Sequence, residues 1–433
     1  MLVGPSAAVM PFAAHAMVPA VETSLYSDEM SDVESDIVGP HLVSCQVVKP
    51  TPPALPPPCY GPDQIRVAYG VKSVLDGGIT GAGQTIVIID AFQAPNLDAD
   101  LAKFGMLAWP NLPAVDLLRT APDGLTDWTG SPEQQPWALE ISTDVEWAHA
   151  IAPGATIHLV LAKSGSDADI LSATRYAVEN ELGDIISQSF GEAESCADPQ
   201  LLAEEHRVFE AAHAKGITLL ASSGDFGAAE RDCSGQLVRG VSTPASDPLV
   251  TAVGGTTLNA DRSTGVYQSE SGWGNGAQAS GGGFSALFKR PGYQAPFFKS
   301  NAARGLPDVA WGADTYGSAI VLFNGQYRRA SGTSVGTPQW AAVAALANQM
   351  AGHRLPPFNV RLYHAGKSSA YPTLFHDITT GDSSISRTDP LKPPVGTFTG
   401  FSAAPGWDPI TGLGSPNVAA LLPFLSETPP ADE

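Results

Sequence analysis

Positive charge is what this sequence has least of. Its 433 residues carry 23 Lys and Arg against 44 Asp and Glu, a formal net charge of −21, so a polyanion such as DNA would be repelled and nucleic acid is excluded as a partner. Long apolar runs are missing too: none approaches the roughly 18 residues of a membrane span, and the chain is read as soluble. Charged residues of both signs reach only 15% and the pI is near 4.7, which suits a protein that stays dissolved in acid. Cysteine is scarce. Cys45, Cys59, Cys196 and Cys233 have neither the C-x-x-C spacing nor the His partner of a zinc or redox site. Two disulfides, 45 with 59 and 196 with 233, are the simplest pairing and would place the protein outside the cytosol; other connectivities, or four buried thiols, stay open as alternatives. The glycine-rich piece Ser280-Gly281-Gly282-Gly283-Phe284-Ser285 lacks the lysine and the strand-turn-helix setting of a phosphate loop.

What is present divides at about residue 58. Residues 1–58 combine an apolar start, an acidic patch from Asp28 to Asp36 and the proline-rich linker Thr51–Pro58, a leader expected to be poorly ordered. The first twenty residues resemble the apolar half of a signal peptide, yet no Lys or Arg precedes them. From residue 59 to 428 the pattern is that of one folded domain. Thr85-Ile86-Val87-Ile88-Ile89-Asp90 is a continuous apolar run closed by a carboxylate, and similar runs recur at 156–162, 184–190, 217–222 and 249–253. Helical stretches at 138–151, 167–182 and 199–215 lie between them. This alternation predicts an α/β fold, a doubly wound parallel sheet with helices on both faces, whose active residues gather at the carboxyl ends of strands.

Three stretches carry chemistry. In Ser331-Gly332-Thr333-Ser334-Val335-Gly336-Thr337-Pro338 a glycine-rich turn runs into an apolar helix, so Ser334 would be displayed beside unpaired helix N–H groups, as a nucleophile is; a plain N-cap is the bland alternative. In Ala138–Ile151, Glu140 and Asp144 stand one turn apart on one helical face, followed by Trp147 and Ile151. Carboxyls bordering apolar surface hold protons more tightly than solvated ones, so the pair could accept a proton in acid. A solvated acidic face is the alternative. In Leu219–Gly227 a strand ends in the glycine-flanked Asp225, either a turn residue or, protonated, a donor to an oxyanion.

Together with Thr243-Pro244-Ala245, Val253-Gly254-Gly255-Thr256-Thr257 and Arg304-Gly305-Leu306-Pro307-Asp308-Val309-Ala310, these stretches resemble the sedolisin family, the serine-carboxyl peptidases of subtilisin-like fold, over most of residues 59–420. The resemblance implies Ser334 as nucleophile, Glu140 as general base, Asp144 as the acid behind it and Asp225 as oxyanion donor. It implies a secreted, monomeric endopeptidase acting on polypeptides in acid, or a tripeptidyl peptidase of the same family. It also implies one structural calcium ion, held by the side chains of Asp377 and Asp408 and the carbonyls of Ile378, Ala404 and Gly406; two carboxylates in turn-rich segments are oxygen ligands of the kind a hard cation takes. Two positions that extend the acid chain in some members carry Asp90 and Phe190 here, so that extension is not expected. The inhibitory pro-segment of the family is not recognisable in residues 1–58. A histidine-based subtilisin is disfavoured because none of the nine histidines is followed by Gly. A catalytically silent binding protein of the same fold is the reading from another class.

Overall fold

The computed structural model describes residues 17–19, 37–39, 42–43, 59–108, 110–299, 302–317, 319–386 and 397–427. Most of the leader, including the proline-rich linker, lies outside them. In chain order the framework is β1 (Thr85–Ala91), β2 (Asp116–Thr120), α1 (Gln134–Ile151), β3 (Thr156–Ala162), α2 (Asp167–Glu179), β4 (Ile185–Gln188) and α3 (Pro199–Ala214). There follow β5 (Thr218–Ser222), β6 (Val250–Ala260), β7 (Tyr267–Gly272), β8 (Val309–Gly312) and α4 (Gly336–Ala351).

The strands join in the order β2-β3-β1-β4-β5-β6, all parallel, with Ile88 facing Leu159 on one side and Ser187 on the other. The far half of β6 adds β8 in parallel and β7 antiparallel. The chain builds outward from β1 in one direction, returns, and then builds in the other. Where the direction reverses, the carboxyl ends of neighbouring strands leave a crevice, the usual ligand position in such sheets.

Period-two alternation divides the strand residues between two cores. Ile86, Ile88, Ile157, Leu159, Ile185 and Leu220 pack with Ile141 and Val145 of α1 and the alanine-rich α4. Val87, Ile89, Val160, Ile186, Leu219 and Ala221 pack with Ile170 and Leu171 of α2 and Val208 and Phe209 of α3. Both faces are thus covered, which is why the strands read as unbroken apolar runs. Helix α4 is buried from Gly336 to Asn348. Its small residues let it approach closely, and a Cβ on Gly336 would meet the Cβ of Trp311 at 2.7 Å.

Two strands differ from their expected spans. The run at 184–190 breaks at Ser189: β4 ends at Gln188, and Phe190–Ala193 forms a separate short strand paired with Ser242–Thr243 and with Val18–Pro19. The run at 249–253 continues to Ala260 because Gly254 and Gly255 allow close neighbours; a Cβ on either would meet Pro307 or Ala313 at 2.6 and 2.7 Å. Strand β2 was not anticipated, since every residue in it is at least partly exposed and no apolar face marks it. Cys196 and Cys233 form a disulfide with a Cα–Cα distance of 5.4 Å. Cys59 is disulfide-bonded as well, and its expected partner Cys45 lies outside the described residues.

Candidate active site

The break at Ser189 organises the site. Its carbonyl, turned out of the sheet, accepts the Ser334 hydroxyl at 3.1 Å, and its own hydroxyl donates to Asp144 Oδ1 at 2.8 Å. Ser189 therefore touches both the expected nucleophile and the expected acid. Sequence reasoning missed it, because a serine inside an apolar run carries no signal of its own.

Ser334 lies in the 3₁₀ turn Thr333–Val335, entered through Gly332 at φ 125° and continued by α4. Its hydroxyl was expected to stand clear of the core beside the helix N–H groups; Ser334 is instead fully buried, with its hydroxyl donating to the Ser189 carbonyl. Glu140 and Asp144 project from α1 and have no exposed surface, so the solvated-face alternative is ruled out. The two carboxyls are hydrogen-bonded to each other. Burial pushes Asp144 well above the usual carboxylate range, against the opposing hydrogen bonds from Ser189 and Glu140. Asp90, at the end of β1, is also fully buried and is raised first by burial and then by the charge of Asp144. A third carboxyl thus joins the pair electrostatically, although no extension of the acid chain was expected with Asp90 and Phe190 at those positions. Phe190 belongs to an apolar cluster with Trp137, their ring centroids 5.7 Å apart.

Asp225 follows β5 in a loop that passes through Gly224 at φ 105°. Its Oδ1 accepts from the Thr333 backbone N–H at 2.8 Å and from the Thr333 hydroxyl at 3.0 Å. The carboxyl is thereby fixed against the turn that carries Ser334. The glycine-rich Gly281–Gly283 segment seals this loop from behind: Gly281 N donates to Gly224 O at 2.7 Å, and a Cβ on Gly281 would meet the Ser223 carbonyl at 2.3 Å. Its glycines serve close approach, not phosphate. Glu230 is a further buried carboxyl beside Asp225, pushed up to about 8 by burial and then by the Asp225 charge. The four expected catalytic residues thus converge from α1, the loop after β5 and the turn before α4.

The expected calcium ligands converge elsewhere. Asp377 is exposed and Asp408 buried, yet both bind one loop: Gly406 N donates to Asp377 Oδ1 at 3.0 Å and Ala404 N to Asp408 Oδ2 at 3.1 Å. The side-chain donors are oxygens only, which fits a hard cation. Among the described residues no group of three or more His, Cys, Asp or Glu is placed to hold a metal, so the remaining ligands would have to be carbonyls such as those of Ile378, Ala404 and Gly406. His376 stacks on Tyr267, with ring centroids 3.8 Å apart.

Comparison with known proteins bears on the whole arrangement. The subtilase family model matches residues 138–365, a span that holds Glu140, Asp144, Asp225 and Ser334. Kumamolisin of Bacillus sp. (strain MN-32) is 34% identical over 393 residues, covering 86% of this chain and 66% of its own length. Sedolisin of Pseudomonas sp. (strain 101) is 30% identical over 380 residues, covering 84% and 61%. Human tripeptidyl-peptidase 1 is 32% identical over 269 residues, covering 57% and 44%. The chain thus spans under two thirds of the length of each. The solved structure of Pseudomonas sedolisin, a serine-carboxyl proteinase complexed with two molecules of pseudo-iodotyrostatin, superimposes with a TM-score of 0.73 at 28% identity over 85% of this chain and 98% of that one. Fold, site and relatives agree, and the chain belongs to the subtilase family, in its sedolisin branch of serine-carboxyl peptidases.

Proposed function

We propose that this protein is a secreted endopeptidase that hydrolyses polypeptides in acid through an acyl-enzyme on Ser334. The observation that carries the reading is the buried, mutually hydrogen-bonded Glu140–Asp144 pair, tied through Ser189 to Ser334. Such a pair can hold or release a proton without a histidine. In the proposed reaction Ser334 Oγ attacks the substrate carbonyl while its proton passes to Glu140, with Asp144 holding that carboxyl in place. The oxyanion receives a hydrogen bond from protonated Asp225, which Thr333 orients. The proton on Glu140 then goes to the leaving amine, and water repeats the sequence on the acyl-enzyme. Acidic action follows because an ionised Asp225 has no proton to donate. The Cys196–Cys233 disulfide supports a location outside the cytosol. A calcium ion at Asp377 and Asp408 would brace the C-terminal loops and take no part in the chemistry.

The test is a pH–rate profile on a denatured protein. The parent should be active in acid and lose activity towards neutrality. Ser334→Ala should abolish turnover, and Glu140→Gln should lower it by about 10²–10⁴-fold, the usual worth of a positioned base. Full activity at neutral pH, or undiminished turnover in Glu140→Gln, would remove the serine-carboxyl mechanism, whereas no turnover by the parent at any pH would favour a silent binding protein.

A further inference from the structure

Glu146 lies on α1 just past Asp144, and its partner is not in the active site. It is fully buried. Its Oε2 accepts the Leu322 backbone N–H at 2.9 Å, and its Oε1 is buried with no hydrogen-bond partner. Leu322 belongs to the hairpin of Ile320–Phe323 with Gln326–Arg329, where it stands opposite Tyr327. Alternate residues of an antiparallel ladder turn their N–H outward, and Glu146 takes the one that Leu322 turns out. One residue further along α1, Trp147 Nε1 donates to the Ile320 carbonyl at 2.9 Å. Two adjacent side chains of α1 thus grip the first strand of the hairpin.

The helix Leu97–Phe104 grips its turn. Asn324 and Gly325, at φ 54° and 80°, donate their N–H groups to the two oxygens of Asp100, each at 2.8 Å. The second strand ends at Arg329, and the chain then enters the turn Thr333–Val335 that holds Ser334. Through this hairpin the helix that carries Glu140 and Asp144 is tied to the segment that carries the nucleophile.

The tie favours an uncharged Glu146. As a carboxylate it would have a single N–H donor, from Leu322, against the charge of Asp100. Burial holds it well above the usual carboxylate range, against the Leu322 hydrogen bond and with the Asp100 charge. The other groups around it are Tyr327, Lys103 and His149. The Tyr327 hydroxyl is buried without a partner and feels the Glu146 charge. Lys103 Nζ donates to the Gly325 carbonyl at 2.7 Å and lies 5.1 Å from the Tyr327 ring centroid. His149, one turn along α1, is bound to the Pro113 carbonyl.

We propose that Glu146 is a positioning residue for Ser334: uncharged, it fastens the hairpin to α1 and fixes the nucleophile relative to Glu140 and Asp144, and on ionising it loosens the hairpin. Ionisation beside Asp100 is relieved by letting water reach the carboxylate, which opens the contact with Leu322. The effect on turnover rests on the peptidase reading above; the effect on the hairpin does not.

Two substitutions separate charge from contact. Glu146→Gln keeps an oxygen for the Leu322 N–H and cannot ionise, whereas Glu146→Leu keeps the bulk and removes the acceptor. Near pH 4 the Leu variant should lose about tenfold in kcat at unchanged KM, the effect of one buried hydrogen bond, and the Gln variant should stay within about twofold of the parent. Amide hydrogen exchange across Ile320–Arg329 is then followed from about pH 4 to 8 in the Ser334→Ala chain, corrected for its intrinsic rise with pH. It should step up above the ordinary carboxylate range, and adding Glu146→Gln should abolish the step. This comparison needs only the isosteric glutamine, so it decides even where the leucine variant fails to fold. No step with Glu146 present, a step that survives Glu146→Gln, or a folded Leu variant with the parent's kcat would overturn the proposal. A step that glutamine removes, in a protein that cleaves nothing at any pH, would instead sink the peptidase reading and leave Glu146 as the switch of the hairpin.

Discussion

Ser189 and Asp225 divide the work of holding the site in register. Ser189 spends its hydroxyl on Asp144 and its carbonyl on Ser334, so Ser189→Ala removes one hydrogen bond to a buried carboxyl while leaving the backbone contact. Turnover should fall by about 10-fold, the effect of one such bond at roughly 1.4 kcal/mol, with little change in KM; an unchanged kcat would show that Glu140 alone holds Asp144. Asp225→Asn separates orientation from titration. An amide still donates to an oxyanion and can still accept from Thr333, so part of the activity should survive in acid and its loss at higher pH should be blunted. A pH profile parallel to the parent's would assign the alkaline loss to another group. These roles differ in how far sequence could reveal them. Glu140 and Asp144 were legible because helical spacing puts them on one face, and Ser334 because glycine-rich turn and apolar helix adjoin. Ser189 was hidden, because its role comes from a strand break that local pattern does not encode. Asp90 was undervalued, because the geometry that brings it to Asp144 is set by the pairing of strands.

At the level of elements, the motif Arg304–Asp308 is structural. Arg304 Nη2 meets Asp308 Oδ2 at 2.5 Å with both side chains fully buried, and Asp308 Oδ2 also accepts Ala252 N at 2.8 Å, pinning β6. Asp308→Ala would leave a buried guanidinium uncompensated and should cost about 3–5 kcal/mol, read as a lower denaturation midpoint; a loss under about 1 kcal/mol would mean that water or Tyr363 takes over the pairing. The disulfide Cys196–Cys233 closes a loop with a sequence separation of 37 and holds the hairpin Ala229–Arg231 with Leu237–Arg239 that carries Glu230. The Asp377 and Asp408 loops make a third such element. If calcium is bound there, chelation should lower the melting temperature of the parent and have no effect on Asp408→Ala, which would already melt low; identical curves with and without chelator in the parent would leave those loops braced by hydrogen bonds alone. The core strands were legible in sequence because burial on both faces makes them continuous apolar runs. Edge strand β2 was not, because an exposed edge is held by backbone pairing that side chains do not announce.

Across the whole molecule the buried carboxyls share one direction. Asp90, Asp144 and Glu146 are fully buried and held well above the usual carboxylate range by burial, and Glu192, Glu205 and Glu230 are pushed up to about 8. In the unfolded chain these groups return to about 4. Between those limits the folded protein holds protons that the unfolded chain has released, so unfolding releases protons and rising pH favours it. Their stabilisation is present in full below about pH 4 and is lost as pH climbs towards 8. His206, raised through its hydrogen bond to Asp247, acts with the same sign. Three groups oppose it: burial lowers His149, His158 and His376, the last to about 4, and their contribution is present above their ordinary range near 6.5 and lost as pH falls through their lowered values. The depressed Asp232, Asp261 and Asp382 titrate below the window and do not enter it. Glu270, Asp314 and Asp408 are raised by burial as well, so nine carboxyls and one histidine against three histidines decide the sign. Thermal melting should therefore give a higher Tm near pH 4 than near pH 7.5, in Ser334→Ala so that self-digestion cannot distort the comparison. A Tm that stays level or rises towards neutrality would mean that these carboxyls ionise without cost in the folded state, through water or cations reaching them. The acid preference of the fold would then be withdrawn, while the mechanism at Ser334 would stand or fall on its own pH profile.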